Sequence, residues 1–162
     1  MKKTIFITGA AKRIGKEIAL CFSEMGWNII IHYNSSKNDA QVLADEINGN
    51  NPDSAITVQG NLDVKEDVEK VINEVRDAFP TIDLLINNAS TFYPTPIEDI
   101  SEEHWDKLVG SNLKGPLFLI KGLRDKLKES KGSIINITDT NLSKGVANYS
   151  IYSAAKAGLE SI

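Results

Sequence analysis

Tyr152 and Lys156 stand four residues apart, so on a helix they share a face. A phenol beside an ammonium is a candidate proton donor, because the cation favours the phenolate and can lower a tyrosine pKa from about 10 by roughly 1 to 3 units. Tyr149 lacks this geometry, since the residue four beyond it is Ser153. Asp139, at the end of an expected strand, offers a carboxyl group able to relay a proton to a ring nitrogen; the plainer reading is an Asx turn closing that strand. Gly115-Pro116 interrupts a helical period through Trp105, Leu108, Val109, Leu113, Leu117, Ile120, Leu123 and Leu127. Pro116 has no N–H to give the carbonyl of Asn112, which frees that carbonyl for a water or a lysine unless the proline merely kinks the helix.

A second constellation suits phosphate. Thr8-Gly9-Ala10-Ala11-Lys12-Arg13-Ile14-Gly15 follows an apolar run and opens a helical one. A turn there needs the backbone freedom of Gly9, Gly15 lets helix and strand approach, and the free amides of a helix N-terminus face a pyrophosphate. Arg13 stands where such loops often carry a middle glycine; it is read as a planar donor fork for phosphate or ligand, against the alternative of a solvated first-turn arginine. At the end of the next strand, where an acid would hold the ribose of NAD, the chain reads His32-Tyr33-Asn34-Ser35-Ser36. No carboxylate stands there to repel a 2′-phosphate, which favours NADP, with Asn34, Ser35 and Ser36 as donors and Lys12 or Lys37 as the charge. His32 reads equally well as a satisfied strand-end histidine. A third group, Asn87-Asn88-Ala89-Ser90-Thr91-Phe92-Tyr93-Pro94-Thr95-Pro96, offers Phe92 to stack on a flat ring and Ser90 to hydrogen-bond a cofactor or ligand, unless it is a proline-stiffened loop with Phe92 in the core.

These groups need a frame, and short β-branched runs alternating with helical stripes supply one: a parallel sheet with crossover helices. Strands are predicted at Lys3 to Thr8, Asn28 to His32, Ala55 to Gln59, Leu84 to Asn87 and Ser133 to Ile137. Helical faces are predicted from Ile14, Ile18, Cys21, Phe22 and Met25, from Ala40, Leu43, Ala44 and Ile47, and from Val68, Val71, Ile72 and Val75. Ser36 with Asp39 and Asp63 with Glu66 have capping-box spacing. A last helix is expected to begin near Tyr152 and to include Ile162.

With 162 residues and 41% hydrophobic content, one core is the expectation, and a single dinucleotide-binding domain over the whole chain. The net charge of -4 gives no counterion-release drive for nucleic acid. A lone cysteine, Cys21, allows no intrachain disulfide, no His or Cys cluster suggests a metal, and no apolar run approaches a membrane span, so a cytoplasmic protein is expected.

Taken in order, Thr8 to Gly15, Asn87-Asn88-Ala89, Asn112 and Tyr152 to Lys156 resemble the motif set of short-chain dehydrogenases, and the resemblance covers almost the whole chain. Arg13 in the glycine loop, the run Asn88 to Pro94, and Asp139 in place of the usual serine resemble the pteridine reductases within that family. The resemblance implies a Rossmann-type doubly wound sheet and reduction by NADPH of a dihydropterin or dihydrofolate-like ring. The ring would be held between Phe92 and the nicotinamide and contacted by Arg13 and Ser90. It implies Tyr152 as the acid assisted by Asp139, Lys156 on the nicotinamide ribose and tuning Tyr152, Asn112 anchoring a water relay, and Asn61 with Leu62 flanking adenine. Asn61 stands where the family usually has aspartate. Along the cofactor, Gly9, Lys12, Arg13, Ile14, Gly15, Tyr33, Asn34, Ser35, Asn88, Ala89 and Ser90 are the expected contacts.

Members of that family run longer, adding two strands and a substrate lid. The expectation is therefore of a shortened chain, incomplete at its C-terminal sheet edge. Such a chain would be a homo-oligomer through the helices of Leu117, Ile120, Leu123 and Leu127 and of Ala154, Ala155, Leu159 and Ile162, in the family manner. Two other functions fit the same residues: reduction of carbonyls such as 3-oxoacyl thioesters or sugars, for which Asp139 is the discriminating residue, and a non-catalytic nucleotide-binding module.

Overall fold

The structure, a computed structural model, describes residues 2–162. Five strands, β1 (Thr4–Ile7), β2 (Asn28–Tyr33), β3 (Ala55–Gln59), β4 (Leu84–Asn87) and β5 (Ser133–Asn136), form one sheet in the order β3-β2-β1-β4-β5 with every pairing parallel. The bounds of β3 and β4 are the predicted ones, and the other three differ only at their ends. Because side chains alternate across a strand, Ile5, Ile7, Ile29, Ile31, Leu84 and Ile86 enter one core layer, and Phe6, Ile30, Val58 and Leu85 the other. The helices α1 (Arg13–Glu24) and α2 (Lys37–Asn50) cover the first layer, and α3 (Lys65–Ala78) and α5 (Gly115–Ser130) the second.

The stripe predicted for α1 is displaced. The helix buries Gly15, Ala19 and Ser23, while Ile14, Cys21 and Met25 are exposed and Ile18 and Phe22 half-buried. Its close approach to the sheet admits only small side chains along the contact line and pushes larger ones to the flanks. On α2, Ala40, Leu43, Ala44 and Ile47 are all buried, and on α3 Val68, Val71 and Val75 are, with Ile72 packed beside them. Neither capping box forms: Ser36 precedes α2 without a side-chain cap bond, and α3 begins one residue later than predicted, behind Val64.

The interrupted helix resolves into α4 (Glu102–Val109), a π turn over Gly110–Lys114, and α5. The amide of Gly115 reaches five residues back to the Gly110 carbonyl, and Pro116 falls in the first turn of α5, where its missing N–H costs little. Arg76 of α3 clamps α5 through two bonds to the Asp125 carboxylate, at 2.6 and 2.7 Å, and one to the Gly122 carbonyl at 2.9 Å.

The last helix, α6 (Ser150–Glu160), begins two residues before Tyr152 and leaves Ile162 outside it. It hangs on the end of β5 through the Asn136 amide, which donates to the Leu159 carbonyl at 3.2 Å. Of the residues expected to want cover from a second copy, Leu123, Leu127, Ala155 and Leu159 are already buried within the chain, whereas Leu117, Ala154 and Ile162 are exposed. No helix among the described residues is long and apolar enough to cross a membrane, and no group of three or more His, Cys, Asp or Glu among them could hold a metal ion.

Candidate active site

The chain reverses direction across the sheet between β1 and β4, and at the carboxyl ends of those strands their loops diverge to leave a crevice. Gly9 takes φ +62°, a left-handed conformation open to glycine at no cost, and Arg13 takes φ +52°, which explains why such loops often place a glycine there. Three side chains fasten this loop. The Thr8 hydroxyl accepts the amides of Asn88 and Ala89, each at 2.9 Å, and the Asn88 amide donates back to the carbonyls of Thr8 and Gly9 at 2.9 and 3.1 Å. His32 is the third.

The His32 imidazole is fully buried, its Nδ1 accepting the Gly9 amide at 3.1 Å and its Nε2 set 3.0 Å from the Gly60 carbonyl. These two contacts define a neutral ring with the proton on Nε2, and burial, against the opposing pull of the Gly60 carbonyl, lowers the pKa to about 4. A histidine whose folded pKa is depressed stabilises the protein above its unfolded value and loses that contribution as pH falls toward the folded one. Stability should therefore fall by about 2 kcal/mol between about pH 7.5 and about pH 5 from this residue alone. Denaturant unfolding at the two pH values, repeated with His32→Gln, checks it, since the variant should keep only the slope owed to carboxylates.

The crevice is a cavity of about 460 Å³ whose walls include Gly9, Lys12, Arg13, Ile14, Gly15, Asn34, Asn61, Leu62, Asn88, Ala89 and Ser90. Thr91, which the Asn88 to Pro94 run included without a role, also lines it, and so does Ser111, which no motif contained. The residues fit a dinucleotide. At its phosphate end, α1 begins without a side-chain cap and without an acid in its first turn, flanked by Lys12 and Arg13, so its amides and positive end are open to an anion. A side pocket of about 130 Å³ holds Tyr33, Asn34, Ser35 and Ser36 with Lys12, so Tyr33 and Ser35 belong to this branch and not to the main cavity.

Tyr152, Asp139 and Lys156 lie together outside the residues that line this cavity. The Tyr152 hydroxyl donates to Asp139 Oδ2 at 2.9 Å, and Asp139 Oδ1 accepts the backbone and side-chain amides of Asn141 at 2.8 and 3.1 Å. Asp139 thus closes the expected Asx turn with one oxygen and accepts the phenol with the other. The Asn141 amide and the Tyr152 hydroxyl keep its carboxyl below the ordinary range. The phenol itself moves against expectation. Burial first, then the hydrogen bond and charge of Asp139, push it up to about 12, with Ser90 pulling the other way.

Lys156 does not offset this, because its buried ammonium donates to the Ile137 carbonyl at 2.7 Å; burial brings it down to about 8, with Asp139 opposing. Of the two uses expected for the Asn112 carbonyl, a water or a lysine, the lysine is therefore not Lys156. The Asn112 side chain is itself saturated. Its amide donates to the carbonyls of Thr91 and Leu108 at 2.8 and 2.9 Å, and its oxygen accepts the Ser90 hydroxyl at 2.7 Å, so it pins the β4 loop to the π turn. Phe92 differs most from expectation. It lies outside the main cavity, stacked on Tyr149 with ring centroids 4.4 Å apart and planes at 14°, and meets the edge of Tyr152 at 4.8 Å.

A family model described as short chain dehydrogenase matches residues 3–162. The chain is 33% identical over 160 residues to 3-oxoacyl-[acyl-carrier-protein] reductase FabG of Staphylococcus aureus, covering 98% of this chain and 65% of that protein. To pteridine reductase 1 of Leishmania tarentolae it is 32% identical over 196 residues, covering 96% and 67%, and to the NAD-dependent glycerol dehydrogenase of Listeria innocua 32% over 161 residues, covering 99% and 61%. It thus spans about two thirds of the length of these relatives.

Proposed function

Because the chain belongs to the short-chain dehydrogenase family, we propose that it acts as an NADPH-dependent oxidoreductase on a dihydropterin-type ring, with Tyr152 as proton donor. The observation that carries this reading is the 2.9 Å bond from the Tyr152 hydroxyl to the Asp139 carboxylate. A carboxylate held ionised in that position can orient the Tyr152 proton and offset the positive charge on a basic ring nitrogen that receives it, which a neutral hydroxyl does poorly. A bound nicotinamide would supply the hydride. The chain's own residues would do the rest: Lys12, Arg13 and the α1 amides bind phosphate, Asn61 and Leu62 flank adenine, and Asn112 and Ser90 hold the β4 loop beside the reacting edge. Arg13 and Ser90 share the cavity wall where the substrate ring would meet them.

Phe92 can receive that ring only on a face that Tyr149 leaves open or vacates. This favours one competing reading, reduction of a 3-oxoacyl or similar carbonyl, for which Tyr152 and Lys156 would serve equally and which the Staphylococcus aureus relative's name supports. Self-association belongs to the same proposal, through Leu117 and Phe118, which α5 leaves exposed.

Cofactor preference tests the reading at its other end. No acid ends β2, and Lys12 with the two serines lines the side pocket, so NADPH should bind at least about tenfold more tightly than NADH. Fluorescence titration of both cofactors measures it; equal affinities would contradict the assignment.

A further inference from the structure

Lys12 lines three depressions at once: the main cavity, the side pocket with Ser35 and Ser36, and a third of about 310 Å³ shared with Arg13, Lys16 and Asp39. In the side pocket it is the one cation among the lining residues. Its ammonium nevertheless points to an internal partner, Asp39 Oδ2, at 3.0 Å. Asp39 is in the first turn of α2, at the position from which a capping-box acid would reach back to Ser36, and the cap is not made. The carboxylate is given to Lys12 instead, and the Ser36 hydroxyl makes no cap bond.

We infer that Asp39 sets the strength of the preference for a 2′-phosphorylated cofactor, by holding the lysine that such a phosphate needs. The inference rests on the NADPH reading above and adds to it a residue that no feature of the phosphate loop reveals. A dianion entering the side pocket must take Lys12 from Asp39 and then lie near the carboxylate it has displaced. Both side chains are about half exposed, at 56% and 49%, and a pair so solvated holds together by no more than about fivefold in an equilibrium. A phosphate, with two negative charges and three acceptor oxygens, therefore wins the exchange, and the cost of the exchange comes directly off its affinity. Cofactors lacking the 2′-phosphate make no demand on Lys12 from this pocket, and feel Asp39 only through the share of the pyrophosphate that Lys12 holds beside Arg13 and the α1 amides.

The half-cofactors adenosine 2′,5′-bisphosphate and 5′-AMP isolate this end of the site from the chemistry, and their binding is read by calorimetry in the wild type, Asp39→Asn, Asp39→Ala and Lys12→Met. Removing the carboxylate should tighten the bisphosphate by about two- to fivefold in both Asp39 variants, with 5′-AMP moving by less than about twofold. Lys12→Met should weaken the bisphosphate. If Lys12→Met weakens it while both Asp39 variants leave it unchanged, or if they tighten the two ligands equally, the inference is overturned and the NADPH reading stands. If the wild type does not distinguish the two ligands and Lys12→Met changes neither, the NADPH reading fails and takes the inference with it.

Discussion

The Tyr152→Phe variant is expected to lose about three orders of magnitude in kcat while binding NADPH within about twofold of the wild type. The change removes one oxygen, and that oxygen's partner in the structure is Asp139 at 2.9 Å, not the phosphate loop or the cavity wall. The ring itself, wedged against Phe92 and Tyr149, stays in place. A phenol held up to about 12 is a reluctant acid, so as the proposed donor it would need Lys156 to turn from the Ile137 carbonyl toward the phenolate as that charge forms. Lys156, brought down to about 8 by burial, is still mostly charged near neutrality and becomes neutral above that value. The wild-type kcat should accordingly decline as pH rises through about 8, with no such decline in whatever activity Tyr152→Phe retains. A variant that keeps more than about a tenth of the wild-type kcat would remove Tyr152 from the chemistry.

Gly15→Ala should be the most damaging single methyl that the phosphate loop can receive. A Cβ on Gly15 would lie 2.5 Å from the Gly9 carbonyl oxygen, 2.8 Å from Ala10 Cα and 2.8 Å from the Asn88 amide nitrogen. Two of these three are backbone atoms, so no rotamer change relieves the contact; the loop must move or α1 must lift. Overpacking of this kind costs typically 1 to 3 kcal/mol, and with backbone on both sides the expectation is about 3 kcal/mol, together with a loss of at least about a hundredfold in NADPH affinity. Gly49→Ala is the matched control. It lies in the last turn of α2 with nothing within 4 Å of the added methyl, and should leave stability unchanged or raise it by up to about 1 kcal/mol. Chemical denaturation and cofactor titration of the two variants separate the cases, and equal stabilities would show that the loop tolerates displacement.

The frame was legible because it is written in local patterns. Strand β4 is a run of leucine, isoleucine and asparagine with turn residues on both sides, and α2 repeats Ala40, Leu43, Ala44 and Ile47 at one period. The loop between β1 and α1 was legible for the same reason, as glycines at fixed offsets between a strand and a helix. What failed depends on distances that spacing does not encode. Ile14 and Met25 carry the helical period of α1 but not its buried face, because that face was set by how closely Gly15 lets the helix approach the sheet. Tyr152 and Lys156 share a face as their spacing requires, yet the phenol rises instead of falling, since Ile137 and Asp139, from the end of β5, supply the nearer partners. His32 could be read two ways until Gly9 and Gly60 were seen to fill both of its nitrogens. Tyr149 was set aside for lacking a lysine four residues on, and its part in the site is the stack on Phe92, across the fold from β4.

The proposed function turns on whether a pterin-type ring or a carbonyl is reduced, and NADPH oxidation with dihydrobiopterin and with a 3-oxoacyl thioester, offered separately to the protein, measures it directly. With Asp139 holding the Tyr152 hydroxyl, kcat/KM for dihydrobiopterin should exceed that for the thioester by at least about tenfold, and Asp139→Ser should narrow the gap from the pterin side. Turnover of the thioester with none of the pterin, unaltered by Asp139→Ser, would contradict it.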